Sequence, residues 1–246
     1  GMLAIPMVLA QFGLLYGTFL MVLIWFGTTY SALLLLEATI KSGGGLGLNS
    51  IARKTLGKGG QLISNGLLYA LLICLLMAYI LGAADLLSQG LSALGLSISF
   101  TQSQILFTLT AGAIVACGTG VIDKLNRALF FIMIASLAVT LLVLLPEFST
   151  QNLAQVSNND HVGLIQTSAV LFTSFGFMVV IPSLVTYNSE ATDKQLRNMV
   201  ILGSLIPLFC YLCWLFAVVG NLPPEQLKEF ASVSELMAGF EHDAPW

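Results

Sequence analysis

Four uncharged stretches, residues 61–84, 128–146, 162–189 and 198–224, are each long enough to cross a bilayer as one helix. Nothing else in the chain limits its fold so strongly. In hydrocarbon the backbone has no water to bond, so a run of about 20 apolar residues becomes a helix that pairs its N–H and C=O groups internally. Composition points the same way: hydrophobic residues make up 57% of the chain and charged ones 9%, against roughly 25% charged in soluble domains. The expected fold class is therefore an all-α polytopic membrane protein. A net charge of −3 argues against nucleic acid as a partner, and in a bilayer protein the basic residues report topology.

No charge occurs before Glu37, and 36 residues would make about 54 Å of helix. That is too long for one span and short for two. Half a helix at 1–10, a turn near 11–17 and a full span at 15–36 accommodate it, so the chain is expected to begin inside a membrane helix. Further spans are expected near 62–87, 104–121, 128–145, 162–187 and 199–219. One set of alternate loops holds Lys41, Arg53, Lys54, Lys58, Lys124, Arg127, Lys194 and Arg197; the other set, with the tail, holds only Lys228. Cytoplasmic loops collect Lys and Arg, which puts loops 37–61, 122–127 and 189–198 in the cytoplasm.

The stretch 163–188 reads as a membrane helix interrupted at its middle, with an apolar run, then Thr173-Ser174-Phe175-Gly176-Phe177, then a run carrying Pro182. Glycine and proline weaken helices, and a break within the bilayer survives only inside protein or along a wet cavity. The first residues hold a shorter echo, Gly1 ahead of Ile5-Pro6. By the loop charges the two interrupted helices run in opposite directions, five spans apart. Paired Gly/Pro interruptions of this kind mark the midplane site of an inverted-repeat transporter. The whole of 1–246 then forms one transporter domain truncated at both ends, with 1–146 most of a first repeat and 162–246 the start of a second.

Other local features have plainer readings. Gly43-Gly44-Gly45-Leu46-Gly47 follows a membrane helix and lacks the Gly-Lys-Ser/Thr of a phosphate loop, so a connecting loop is expected. Cys210 and Cys213 sit in an apolar span with no second pair, so packing is expected. His161 is expected to be a solvated boundary residue. Intramembrane acids carry protons in many transporters, which makes Glu37, at the end of a span, and Asp85, near the outer end of the next, the candidates for proton coupling. The alternative for each is a charge reaching interfacial water. Asp123 shares a short stretch with Lys124 and Arg127, where an ion pair or helix cap is the ordinary role.

From end to end the chain resembles the bacterial aromatic amino acid permeases of the hydroxy and aromatic amino acid transporter family, above all their tyrosine-specific type. The residues that carry the likeness are Gly1-Met2-Leu3-Ala4-Ile5-Pro6; Tyr30 with Ala32-Leu33-Leu34-Leu35-Leu36-Glu37; and Ala78-Tyr79-Ile80 with Gly82-Ala83. Further along they are Asp123 with Asn126-Arg127; Phe172-Thr173-Ser174-Phe175-Gly176-Phe177 with Pro182-Ser183; and Gly203-Ser204 with Ile206-Pro207. The resemblance implies an inverted five-helix repeat of about eleven spans, of which six and a half are present, in the bacterial inner membrane. It also implies proton-driven import of aromatic amino acids, tyrosine first, with tryptophan or phenylalanine as further substrates. One departure stands out: the tyrosine type has a histidine after Phe-Gly-Phe, where this chain has Met178.

At each break, half-helix amino ends present N–H groups and a positive dipole to a carboxylate, and carbonyl ends suit an ammonium. The expected substrate site therefore comprises Gly1, Met2 and Ala4 at the first break, and Thr173, Ser174, Phe175, Gly176 and Phe177 at the second. Gly176 allows close backbone approach, the two hydroxyls can donate, and Phe175 and Phe177 either stack on an aromatic substrate or pack. Tyr79, on a neighbouring span, either bonds the carboxylate or packs. A channel would show a polar stripe along its pore, and an enzyme would need acids, histidines or ligands gathered at one depth. His161 and His242 both fall in outer segments, so no enzyme, metal or cofactor is expected. A carrier of another small solute on the same fold, or a membrane receptor, are the alternatives.

Overall fold

The computed structural model describes residues 4–9, 12–96, 98–144 and 163–221. The described regular structure is helical: α1 (Ile5–Leu9), α2 (Gly13–Lys41), α3 (Leu48–Ala93), α4 (Phe100–Ala116), α5 (Thr119–Leu144), α6 (Gly163–Ser174), a 3-10 turn (Phe177–Val180), α7 (Ile181–Tyr187) and α8 (Asp193–Asn221). Five helical stretches are long and apolar enough to cross a membrane, counting α6 to α7 as one. α4, at 17 residues, is a shorter apolar helix. This is an all-α multi-pass membrane protein.

The order of spans is as the sequence predicts, but several ends move. α2 continues beyond residue 36 to Lys41, because Glu37 and Lys41 stand one turn apart and pair at 2.6 Å. Glu37 thus lies inside the helix and does not end it. The glycine run then stops α2. Gly43, Gly44 and Gly45 have φ of 98°, 68° and 66°, a region that disfavours side chains. The N–H groups of Gly43 and Gly44 donate to the carbonyls of Ile40 and Thr39, so the run caps a helix end.

The loop expected over 37–61 is non-helical only at residues 42–47 and at Gly57. α3 has 46 residues, about 69 Å if straight, more than twice the roughly 30 Å of a hydrocarbon core. It turns at Gly57, whose φ of 73° and ψ of −172° are not helical. The span expected at 104–121 is α4, opened by a capping box in which Ser99 and Gln102 bond each other's backbone N–H. Residues 122–127, expected as a loop, form the first turns of α5, where Asp123 and Arg127 pair at 2.9 Å. His161 and the tail with Lys228 lie outside the described residues.

The chain packs as two compact units. Within the described residues, the second holds α3 from residue 66, α4 and α5 as far as residue 140. Its apolar side chains are largely open, as at Ile73, Phe131 and Val139. In water such a surface would be strongly unfavourable, whereas lipid tails are as apolar as the side chains.

The first unit holds α1, α2, the start of α3 and α6 to α8. Its central pillar is α2, against which α1, α6, the 3-10 turn, α7 and α8 all pack. The core is built from three pairs of residues, each one helical turn apart and so on one face: Ala32 and Leu36 of α2, Ile181 and Val185 of α7, Leu196 and Val200 of α8. Higher up, the Trp25 indole N–H donates to the Ser204 carbonyl and hydroxyl oxygens at 3.1 and 3.2 Å, and the Thr29 hydroxyl reaches the same hydroxyl at 3.3 Å. Together these contacts run α2 and α8 antiparallel. Pro207 inside α8 removes the N–H that the Gly203 carbonyl would receive, so the polar contacts from α2 fall where the helix is weakest. Interhelical bonds of this type contribute about 0.6–2 kcal/mol each in membranes.

Ala32 has no exposed surface, so Ala32→Leu is expected to destabilise the fold by about 1–3 kcal/mol through overpacking. Thermal unfolding in detergent checks this, with Leu34→Ala on the open face of the same helix leaving the midpoint nearly unchanged.

Candidate functional site

The helix beginning at Gly163 ends at Ser174, and Phe175 and Gly176 leave helical geometry before the 3-10 turn starts. Gly176 has φ −77° and ψ 49°. This φ suits any residue, so what favours glycine here is tight space. A Cβ at Gly176 would stand 3.2 Å from the Thr173 carbonyl oxygen and 3.3 Å from that of Phe172, which only a backbone shift could relieve. Beyond the break, Pro182 sits in the first turn of α7, where its missing N–H costs no helical bond.

The backbone groups freed by the break find local partners. The N–H of Phe175 donates to the Leu171 carbonyl at 3.0 Å, that of Gly176 to Thr173 at 3.3 Å, and that of Phe177 to Phe175 at 2.9 Å. The carbonyl of Ser174 accepts from the Tyr211 phenol of α8 at 3.2 Å. The hydroxyls of Thr173 and Ser174 turn back along α6 to the carbonyls of Ala169 and Val170 at 2.7 and 2.8 Å. Gly176 and Thr173 are exposed, and Ser174 is half-buried. What the break offers at its open side is thus backbone.

The first interruption expected from the sequence falls ahead of Ile5, where residues 1–3 lie outside the described ones; beyond it α1 runs from Ile5 to Leu9 and α2 begins at Gly13. Here the Val8 carbonyl accepts from the Thr167 hydroxyl of α6 at 3.1 Å. Thr167, Ile5, Leu9 and Leu171 are all buried, so a polar bond inside an apolar contact ties α1 to α6. Ala4 is half-buried just ahead of α1. Gly1 and Met2 lie outside the described residues.

The aromatic residues at the break are engaged in packing. Phe175 is 1% exposed, and its ring stands edge-on to Tyr211, with centroids 5.2 Å apart and planes at 61°. Phe177 is half-buried against the core of Ala32, Leu36 and Ile181. Met178 lies at the surface of the same turn. Tyr79 and Asp85 belong to α3 in the second unit, Tyr79 exposed and Asp85 half-buried. Asp85 accepts from the Gln89 amide at 3.2 Å.

Glu37 faces an open pocket of about 470 Å³ shared with Lys41, Ser42, Lys54 and Thr55. Lys54 donates to the Ser42 carbonyl at 3.0 Å, and Arg197 is close enough to act on Glu37 electrostatically. Basic residues from α2, α3 and α8 therefore share one end of the first unit. Among the described residues no three His, Cys, Asp or Glu side chains gather as metal ligands. Cys210 and Cys213 are free thiols, half-buried on α8.

Sequence reasoning missed Tyr211, Thr167 and the Trp25–Ser204 pair. A usable signal existed for each: a hydroxyl or indole N–H in an apolar span must find an acceptor. Which acceptor it finds depends on the neighbouring helix.

An all-α multi-pass protein with a helix interrupted at Gly176 fits a membrane carrier, and comparison with known proteins makes the class specific. The profile of the tryptophan/tyrosine permease family matches residues 1–239. The chain belongs to that family of amino acid permeases. It is 58% identical over 240 residues to Glutamine transporter 2 of Aliivibrio fischeri, covering 98% of this chain and 62% of that protein. To Tyrosine-specific transport system 1 of Haemophilus influenzae it is 36% identical over 241 residues, covering 96% and 59%. To the low affinity tryptophan permease of Escherichia coli it is 28% identical over 244 residues, covering 94% and 57%. The chain thus spans about three fifths of the length of these relatives. No solved structure matches it.

Gly176→Leu in the full-length protein is expected to abolish amino acid uptake while leaving membrane insertion intact. Insertion is read by protease protection and uptake by a labelled amino acid; wild-type uptake in this variant would remove the break from the site.

Proposed function

We propose that this chain forms the greater part of a secondary active transporter that imports a neutral amino acid and binds it at the Gly176 break. The observation that carries this reading is the open backbone between α6 and the 3-10 turn, inside a permease-family chain. The carbonyl end of α6, whose oxygens keep a second lone pair, suits the substrate's ammonium, and the positive end of the next helical turn suits its carboxylate. Ala4, with Gly1 and Met2, completes the site from the first interruption. Thr173, Ser174 and Gly176 supply the second side.

Glutamine is the substrate we put first. The relative at 58% identity is named a glutamine transporter, and the two rings that would stack on an aromatic substrate, Phe175 and Phe177, are occupied in packing. Tyrosine is the second reading, favoured by two Haemophilus influenzae relatives at 36% and 32% identity that are named tyrosine-specific.

In this reading transport is coupled to protons and works by alternating access, with the two interrupted helices rocking against the remaining spans in the bacterial inner membrane. Residues 1–146 and 162–246 belong to two inverted repeats, and the basic ends near Lys41, Lys124 and Arg197 face the cytoplasm. Of the two acids considered for coupling, Asp85 fits better, being half-buried. Glu37 is already paired with Lys41 in the open.

The test is uptake of labelled glutamine and of labelled tyrosine by vesicles holding the full-length protein, with and without an inward proton gradient. Gradient-dependent glutamine uptake that excess tyrosine does not block is the expected result. Tyrosine uptake blocked by tryptophan would move the substrate to the aromatic class. Correctly inserted protein that carries neither, nor any other amino acid tried as competitor, would end the carrier reading.

A further inference from the structure

Tyr211 lies half-buried on α8, seven residues after Ser204 and so on the same face of the helix. Two of its contacts fall on either side of the point where α6 stops. The phenol O–H donates to the Ser174 carbonyl, the last of α6, at 3.2 Å. The ring meets Phe175, the first residue outside the helix, edge-on at 5.2 Å. In an unbroken helix the Ser174 carbonyl would accept from the N–H of Met178, four residues on. The break removes that donor, and α8 supplies another.

This support is anchored elsewhere. α8 is held to α2 by the Trp25 and Thr29 bonds to Ser204, two turns before Tyr211, and by the apolar pairs beyond. On the other side, the Thr173 and Phe172 carbonyls close around Gly176. A break free to rewind would withdraw the carbonyl and N–H groups that a zwitterion needs. Held in one geometry, it binds without first being ordered.

We propose that Tyr211 is the positioning residue of the substrate site, fixing the carbonyl end of α6 and the backbone at Phe175 and Gly176 in the arrangement that receives the amino acid's charged groups. The proposal rests on the carrier reading above, and its test is built so that the two can fail separately.

The experiment uses the full-length protein in vesicles and the variant Tyr211→Phe, which keeps the ring contact and loses the hydroxyl. The probe is labelled glutamine, or tyrosine if the wild type carries that instead. The expected result is a KM raised about five- to tenfold, the effect of one lost hydrogen bond, with maximal rate nearly unchanged, as for an interaction made equally throughout the cycle. Amide hydrogen exchange at residues 175–178, measured without substrate, is expected to rise in the variant. Incorporation of 4-aminophenylalanine at 211, which places an N–H where the O–H stood, is expected to restore both. Tyr187→Phe, at the exposed end of α7, changes neither.

Unchanged exchange at the break in Tyr211→Phe overturns the proposal, whether or not the protein transports. Raised exchange with unchanged KM also overturns it, since the contact would then be structural only. If the wild type carries no amino acid, the carrier reading fails with it, and the exchange measurement still decides whether Tyr211 holds the break. Should Tyr211→Phe not insert, the 4-aminophenylalanine protein is compared with one carrying O-methyltyrosine, which cannot donate; equal exchange in the two overturns the proposal.

Discussion

A backbone group released within a bilayer has no water to bond, and each must find a partner inside the protein. The architecture of the first unit follows from that constraint. One of its membrane helices is interrupted after Ser174, and α8 carries Pro207. Side chains from other helices bond carbonyls near helix ends: Thr167 of α6 serves Val8, and Tyr211 of α8 serves Ser174 at the break. Near Pro207, Trp25 of α2 bonds the carbonyl of Ser204. The breaks and the helix contacts are therefore mutually dependent. Remove a neighbouring helix and a carbonyl is left unpaired in hydrocarbon; straighten the break and the neighbour loses its acceptor.

Around these polar points the packing is carried by residues one turn apart. Ala32 and Leu36, Ile181 and Val185, Leu196 and Val200 meet in one cluster, and Ala32 lets the helices approach closely, as small residues do in membranes. The same segment that interrupts the helix also contributes to this cluster through Phe177. A residue that looks from its type like part of a ligand-stacking surface is thereby used to hold the second half-helix against α2. The ring of Phe175 is used in the same way against Tyr211.

The site that remains is mostly main chain. If an amino acid binds there as proposed, such a surface reads the ammonium and carboxylate that all amino acids share and says little about the side chain. Discrimination has to come from side chains that meet the substrate beyond its charged groups, where a polar and an apolar neighbour have opposite effects.

How much of this was legible beforehand follows the range of each interaction. The uncharged runs, the interrupted helix at Gly176 and the order of spans depend on residues close in sequence, and the family blocks spread over the chain. All of these could be read directly. Helix ends were less legible: α2 reaches Lys41 through its Glu37 pair, and residues 122–127 are helical although their charges suggested a loop. The partners of the freed carbonyls could not be read at all, because Thr167 and Tyr211 stand far along the chain from Val8 or on another helix from Ser174. By itself the sequence determined the membrane as solvent, the all-α class and the position of the break. Only the tertiary structure decided which hydroxyl bonds each carbonyl and whether an aromatic ring at the break faces protein or space, since both depend on the rotation of one helix against another, which no local pattern encodes.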